Sequence, residues 1–179
     1  MRIIFVSLLT LAYPLLVYFG IGHFEPRWMA LMLAALACAR AIATRERVWL
    51  FAAAGALLLA IVSALGNQIL PLKLYPVLVN LVLLVTFASS LFYKPSMIER
   101  LARLREPNLS AHGVAYTYRV TQVWCGFFVL NGSIALFTAI WASDAAWALY
   151  NGLIAYLLMA GLFAVEWLVR RRVKARAAI

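Results

Sequence analysis

Three asparagines, Asn80, Asn131 and Asn151, and one glutamine, Gln122, stand inside otherwise apolar runs of this 179-residue chain. An amide buried in hydrocarbon without a partner costs roughly 2–7 kcal/mol, so each of the four must mark a helix–helix contact or a polar path. Counting about 1.5 Å per residue from the ends of the apolar runs sets Asn80 and Asn151 in the outer half of a bilayer and Asn131 near its midplane. The three could share a pocket if their helices pack together. Ordinary interhelical hydrogen bonding, at about 0.6–2 kcal/mol per contact, is the simpler expectation.

The charged candidates lie elsewhere. Glu166 falls in the last turn of an apolar run, directly before Trp167 and the Arg170-Arg171-Arg172 run, while Arg119 and Gln122 open another run at the same depth. An Arg119–Glu166 pair would tie two helices together and lower the cost of both charges. As a catalytic acid or proton-coupling group, Glu166 lacks a second carboxylate or histidine at matching depth. His112 has Thr117 where the His-x4-Asp pattern of glycerolipid acyltransferases has its orienting aspartate. No G-x-S-x-G, glycine-rich phosphate loop, H-E-x-x-H or Asp-rich motif is present. His23 and His112 sit in different loops away from any Cys, Asp or Glu cluster, and Cys38 and Cys125 fall inside apolar runs as small packing residues. The pattern therefore predicts no catalytic residue, no metal and no cofactor.

The elements that position these residues are set by composition. With 66% hydrophobic and 12% charged residues and a mean hydropathy of +0.94, the chain needs lipid as its solvent. The apolar runs predict an all-α, polytopic, single-domain membrane protein with six transmembrane helices at about residues 3–20, 28–43, 48–65, 75–93, 120–141 and 146–169. The first run ends Tyr18-Phe19-Gly20, which lacks the small residues of a cleavage site and is expected to remain as a helix. Ala30, Ala34 and Cys38, and again Ala52, Ala56 and Ala60, recur at i+4 as faces for close helix contact.

Between the fourth and fifth spans lies the longest polar interruption. There Met97, Ile98, Leu101 and Leu104 recur at helical spacing, while Glu99, Arg100, Arg103 and Arg105 fill the other face, predicting a short amphipathic helix over 95–106. Pro107 to His112 is a turn-forming run. With Lys94 in front, Arg100, Arg103 and Arg105 form a basic surface suited to membrane lipid headgroups or an acidic partner.

Lys94-Pro95, Ile98-Glu99-Arg100-Leu101, Trp124 with Phe127-Phe128, and Asn131-Gly132 form a pattern with a precedent. It resembles the small bacterial inner-membrane proteins encoded among acyl carrier proteins, ketosynthases and dehydratases in aryl polyene type lipid clusters, and more distantly the intracellular septation protein A family. The likeness covers roughly residues 70–172. It implies a bacterial cytoplasmic membrane, an accessory role beside fatty-acid-like synthesis and an acyl carrier protein as a possible partner; it supplies no catalytic residues.

The net charge of +10 is explained by topology rather than by nucleic-acid binding, since no basic soluble domain exists to carry phosphate contacts. Six spans with cytoplasmic termini gather 14 of the 16 Lys and Arg residues on the cytoplasmic side and leave Arg27 and Lys73 outside. Trp28, Tyr75, Trp141 and Trp147 then mark the outer interface, and Trp49, Tyr93, Tyr118 and Trp167 the inner one. Three functions fit: a non-catalytic docking or lipid-handling component of envelope lipid or polyene synthesis, a small transporter or flippase using Asn80, Asn131 and Asn151, or a membrane-embedded acyl or glycosyl transferase. Reporter fusions at Ala43, Arg105 and Ile179 are expected to read cytoplasm, and fusions at Glu25, Gln68 and Asp144 periplasm. One inverted pair overturns the six-span topology.

Overall fold

The computed structural model describes residues 13–21, 23–44 and 47–177. Among them every regular element is helical. Residues 13–20 form α1; α2 (Pro26–Thr44), α3 (Arg47–Gly66), α4 (Leu70–Lys73), α5 (Tyr75–Phe92), α6 (Met97–Arg103), α7 (Ala111–Trp141) and α8 (Asp144–Leu149) follow, then a π-helical turn (Tyr150–Ile154) and α9 (Ala155–Ala177). Three helical stretches among the described residues are long and apolar enough to cross a membrane: Leu70–Phe92, Ala111–Trp141 and Asp144–Arg172. They correspond to the last three expected spans. The second and third expected spans match shorter apolar stretches, Pro26–Ala39 and Leu50–Gly66. Most of the first expected span, with Arg2, lies outside the described residues, as do Arg45 and the side chains of Arg40, Arg47 and Trp49.

Two packed cores organise the helices. The first joins α1 to α4 with α8 and is rich in small side chains: Ala30, Leu33 and Ala37 of α2 meet Ala53, Ala56 and Ala60 of α3 around Tyr13, Leu72 and Trp147. On α3 the expected face of Ala52, Ala56 and Ala60 is buried. On α2 the buried face is rotated from the expected one, because Leu33 and Ala37 turn inward and Cys38 is exposed. α3 stops at Asn67, whose φ of 48° ends the helix in the left-handed region. Gln68 N–H returns to the Ser63 carbonyl at 3.2 Å, satisfying a terminal acceptor.

The interface between α4 and α8 is polar. Lys73, 6% exposed, pairs with Asp144 at 3.1 Å and lies 5.9 Å from the centre of the Trp147 ring. Its carbonyl accepts from Trp147 Nε1 at 3.1 Å, and the neighbouring Leu72 carbonyl accepts from the Tyr13 hydroxyl at 3.0 Å. Trp147, expected at the lipid interface, is fully buried, and Tyr75 is largely so. The indole N–H needs an acceptor, and the short α4 turn offers one that lipid does not. Trp28, Trp141, Tyr93 and Trp167 are exposed.

The second core is aromatic. Phe87 of α5 and Trp124 and Phe128 of α7 close around Ile98 of α6. Two side chains suspend α6 beneath it: Ser90 Oγ accepts from Met97 N–H at 2.8 Å and Thr121 Oγ1 from Ile98 N–H at 3.3 Å. The helix is shorter than expected and presents a different face. Ile98 and Glu99 are buried, Leu101 and Leu104 exposed, because the donors at its start turn that side toward α7.

The helix α7 begins at Ala111, nine residues before the expected span, because Ser110 caps it by accepting from Gly113 N–H at 3.2 Å. Its 31 residues extend about 46 Å, beyond a hydrocarbon core of about 30 Å, an excess that tilt or projection of one end has to take up in a bilayer.

Lys73 and Asp144 generate a stability test. Asp144→Asn leaves a buried ammonium without its counter-charge and is expected to lower stability in detergent by roughly 1–3 kcal/mol. Adding Lys73→Met should recover most of that loss in a thermal melt; strict additivity of the two changes would show that the ion pair is not coupled.

Candidate functional site

Two polar loci lie along α7, separated by the aromatic core. At the first, Asn131 Nδ2 donates to Asn80 Oδ1 at 3.0 Å, Asn80 Nδ2 donates to the Pro76 carbonyl at 2.8 Å, and the Tyr150 hydroxyl donates to Asn131 Oδ1 at 2.9 Å. Gly132 makes this approach possible: a Cβ there would sit 3.1 Å from the Asn80 Cβ. Asn151 is adjacent but separate, donating to Thr138 Oγ1 at 3.2 Å and to the Trp147 carbonyl at 2.9 Å.

Of the four expected intramembrane amides, then, Asn80 and Asn131 meet, Asn151 joins a neighbouring group, and Gln122 is exposed. The π turn, which rotates Tyr150 and Asn151 inward together, had no sequence signature beyond the adjacency of two polar-tipped residues. Chemically the arrangement is a set of mutually satisfied hydrogen bonds that joins α5, α7 and the π turn.

Below it, toward the basic end of α9, the aromatic side chains close the interior. Trp124 lies 4.6 Å from Phe163 of α9 and 5.7 Å from Phe128, and Phe128 lies 5.1 Å from Phe87, centre to centre. Met159 and Leu162 of α9 pack against this block as well.

Beyond the block lies the second locus, a cleft of about 600 Å³ between α6, the loop after it, the start of α7 and the end of α9. Ile98, Leu101, Val120, Trp124 and Phe163 form its apolar wall, and Arg105, Glu106, Glu166, Arg170 and Arg171 its charged rim. Such a volume lies within the about 300–1,000 Å³ of ligand pockets. Tyr116 reaches across the cleft from α7, its hydroxyl 3.2 Å from Glu166 Oε1 and 3.3 Å from the Glu166 carbonyl. Arg170 Nη2 lies 2.7 Å from the same carboxylate oxygen, and the Arg171 guanidinium lies 4.7 Å from the centre of the Trp167 ring.

The expected Arg119–Glu166 pair is not formed. Arg119 is exposed, and Arg170, four residues beyond Glu166 on one helix face, meets the carboxylate without crossing between helices. The α7 residue that does cross is Tyr116. Its depth matches that of Glu166, which counting along the two helices would have shown.

The expected basic surface also divides by role. Arg100 holds the loop before α6, donating to the Pro95 carbonyl at 2.8 Å and the Tyr93 carbonyl at 3.2 Å. Arg103 pairs with buried Glu99 at 2.8 Å and donates to the Pro107 carbonyl at 2.9 Å. Lys94 and Arg105 are exposed, and only Arg105 of the four lines the cleft. Among the described residues no group of three His, Cys, Asp or Glu side chains is placed to hold a metal ion, and His23 and His112 are both exposed.

Replacing Asn131 or Asn80 by Leu is expected to cost about 0.6–2 kcal/mol each in detergent unfolding. The double replacement should cost less than the sum, since one hydrogen bond is shared; full additivity would mean that the two amides act independently. No protein-family model, curated protein or solved structure matches this chain, and its functional reading rests on the geometry described above.

Proposed function

We propose that this protein is a non-catalytic lipid-handling component of a bacterial cytoplasmic membrane, with six spans and both termini in the cytoplasm, accessory to envelope lipid or polyene synthesis. The observation that carries the lipid-handling reading is the cleft, which joins an apolar wall to a rim of arginines and glutamates. An acyl chain needs the first and a headgroup the second. The excess length of α7 supports the same reading, because the cleft is lined by its first turns, which run beyond the expected span of 120–141 and would reach the level of the headgroups.

The transporter alternative draws less support from the amides. Asn80 and Asn131 hydrogen-bond to each other, and the Trp124, Phe128 and Phe163 side chains stand between them and the cleft. A transferase would draw on the carboxylates of the cleft, Glu106 and Glu166, of which Glu166 is paired with Arg170 and hydrogen-bonded by Tyr116. Docking of an acidic carrier protein would fall to Lys94 and Arg105, since Arg100 and Arg103 hold the backbone of their own loop.

Val120→Trp fills the apolar wall without touching the rim. Purified in mild detergent, this variant is expected to retain markedly less co-purifying lipid than the parent protein by native mass spectrometry while still melting cooperatively. Equal lipid retention in a folded Val120→Trp protein would overturn the lipid seat.

A further inference from the structure

The charges of the cleft specify more than an amphiphile, and we infer that it selects a lipid whose head joins a phosphate to a primary ammonium, the phosphoethanolamine head. The inference rests on the cleft being a lipid seat. Three arginines and two glutamates line it, so groups of both signs face a head that carries one charge of each sign.

The two signs are also arranged in space. Arg170 is committed to Glu166, which leaves Arg105 and Arg171 as the guanidiniums facing a phosphate at the rim, a ligand their planar fork suits. Arg171 is positioned by its stacking on Trp167. Arg171 follows Glu166 by five residues, about 7.5 Å along the helix axis, so a phosphate at Arg171 and an amine at Glu166 fall within reach of one short head.

Glu166 is the group that reads the amine. The hydrogen bonds to its carboxylate fall on Oε1, from Tyr116 at 3.2 Å and from Arg170 Nε at 2.8 Å. A carboxylate offers about four lone-pair sites, so Oε2 remains an acceptor toward the cleft. A primary ammonium brings three N–H donors, whereas a quaternary one brings none and is recognised by an open aromatic cage. The aromatic side chains of the cleft are otherwise engaged: Arg171 lies over Trp167, Tyr116 hydrogen-bonds to Glu166, and Trp124 packs against Phe163.

The test uses the full chain, delipidated in detergent and titrated with phosphatidylethanolamine, phosphatidylcholine and phosphatidylglycerol of identical chains, with binding read by native mass spectrometry. Phosphatidylethanolamine is expected to bind about tenfold more tightly than phosphatidylcholine, and more tightly than phosphatidylglycerol. Glu166→Gln should bring the ethanolamine-to-choline ratio close to one. Tyr116→Phe, which removes the tie between α7 and α9 but keeps the carboxylate, should preserve the ratio. Arg105→Gln with Arg171→Gln should weaken both lipids alike. Tighter binding of phosphatidylglycerol than phosphatidylethanolamine, an ethanolamine-to-choline ratio of one in the parent protein, or a ratio unchanged in Glu166→Gln would overturn the inference while leaving a lipid seat in place. Lipid binding untouched by Val120→Trp would overturn the seat itself.

Discussion

The hydrogen bond from Asn131 to Asn80 is the contact on which the rest of the arrangement depends. Two amides in an apolar layer have no solvent to fall back on, so once α5 and α7 approach over Gly132 their register is set by the one alignment that satisfies both. That register sets Phe87 edge-on to Phe128 and brings Trp124 beside them. It also places Ser90 and Thr121 where each receives a backbone N–H from the start of α6. From the same pair of amides, Tyr150 fixes the π turn, and the π turn sets the direction in which α9 leaves. The cleft is therefore a consequence of helix registry: α9 meets α7 at Phe163 and again at Glu166, with space between α9 and α6.

The sequence carried the class of the molecule and the polar residues worth attention, for different reasons. Long apolar runs are a direct reading of solvent, so the expected spans 75–93, 120–141 and 146–169 fall within Leu70–Phe92, Ala111–Trp141 and Asp144–Arg172, apart from Tyr93. The asparagines were visible because an amide is conspicuous among Leu and Val. Partner choice was not visible, because it depends on rotation about a helix axis. Glu166 takes Arg170 and Tyr116 rather than Arg119, and Glu99 turns inward although its type assigns it to the solvent face. A one-residue change in the buried face is a rotation of about 100°, and composition does not encode it. Trp147 shows the same limit: its type and place suit an interface, but the carbonyl of Lys73 offers its N–H a better partner inside.

Charge in this chain is handled locally. Glu99 with Arg103 and Glu166 with Arg170 are each four residues apart on one helix face, and Lys73 with Asp144 joins two helix ends. Each acid removes one cation from the set available to an outside partner, and Arg100 is removed by two backbone carbonyls. A basic run in a membrane protein therefore overstates its docking surface, since helix ends and loops draw on the same guanidiniums to satisfy their carbonyls. What is left after these local demands is a smaller and more specific set, of which Arg105 and Arg171 lie at the cleft.

The position of that remainder argues for entry from the side rather than passage through the middle. A path across the bilayer would have to link the amides of α5 and α7 to the rim charges, and the aromatic side chains of Trp124, Phe128 and Phe163 occupy the intervening turns. Moving an ion or a headgroup past them would strip its hydration without supplying a replacement donor or acceptor. An acyl chain meets no such barrier, because the same rings are the apolar floor it needs. On the proposed lipid-handling reading, the layer that separates the amides from the cleft would thus also be the floor for a hydrocarbon chain, and the charged rim would hold its polar head.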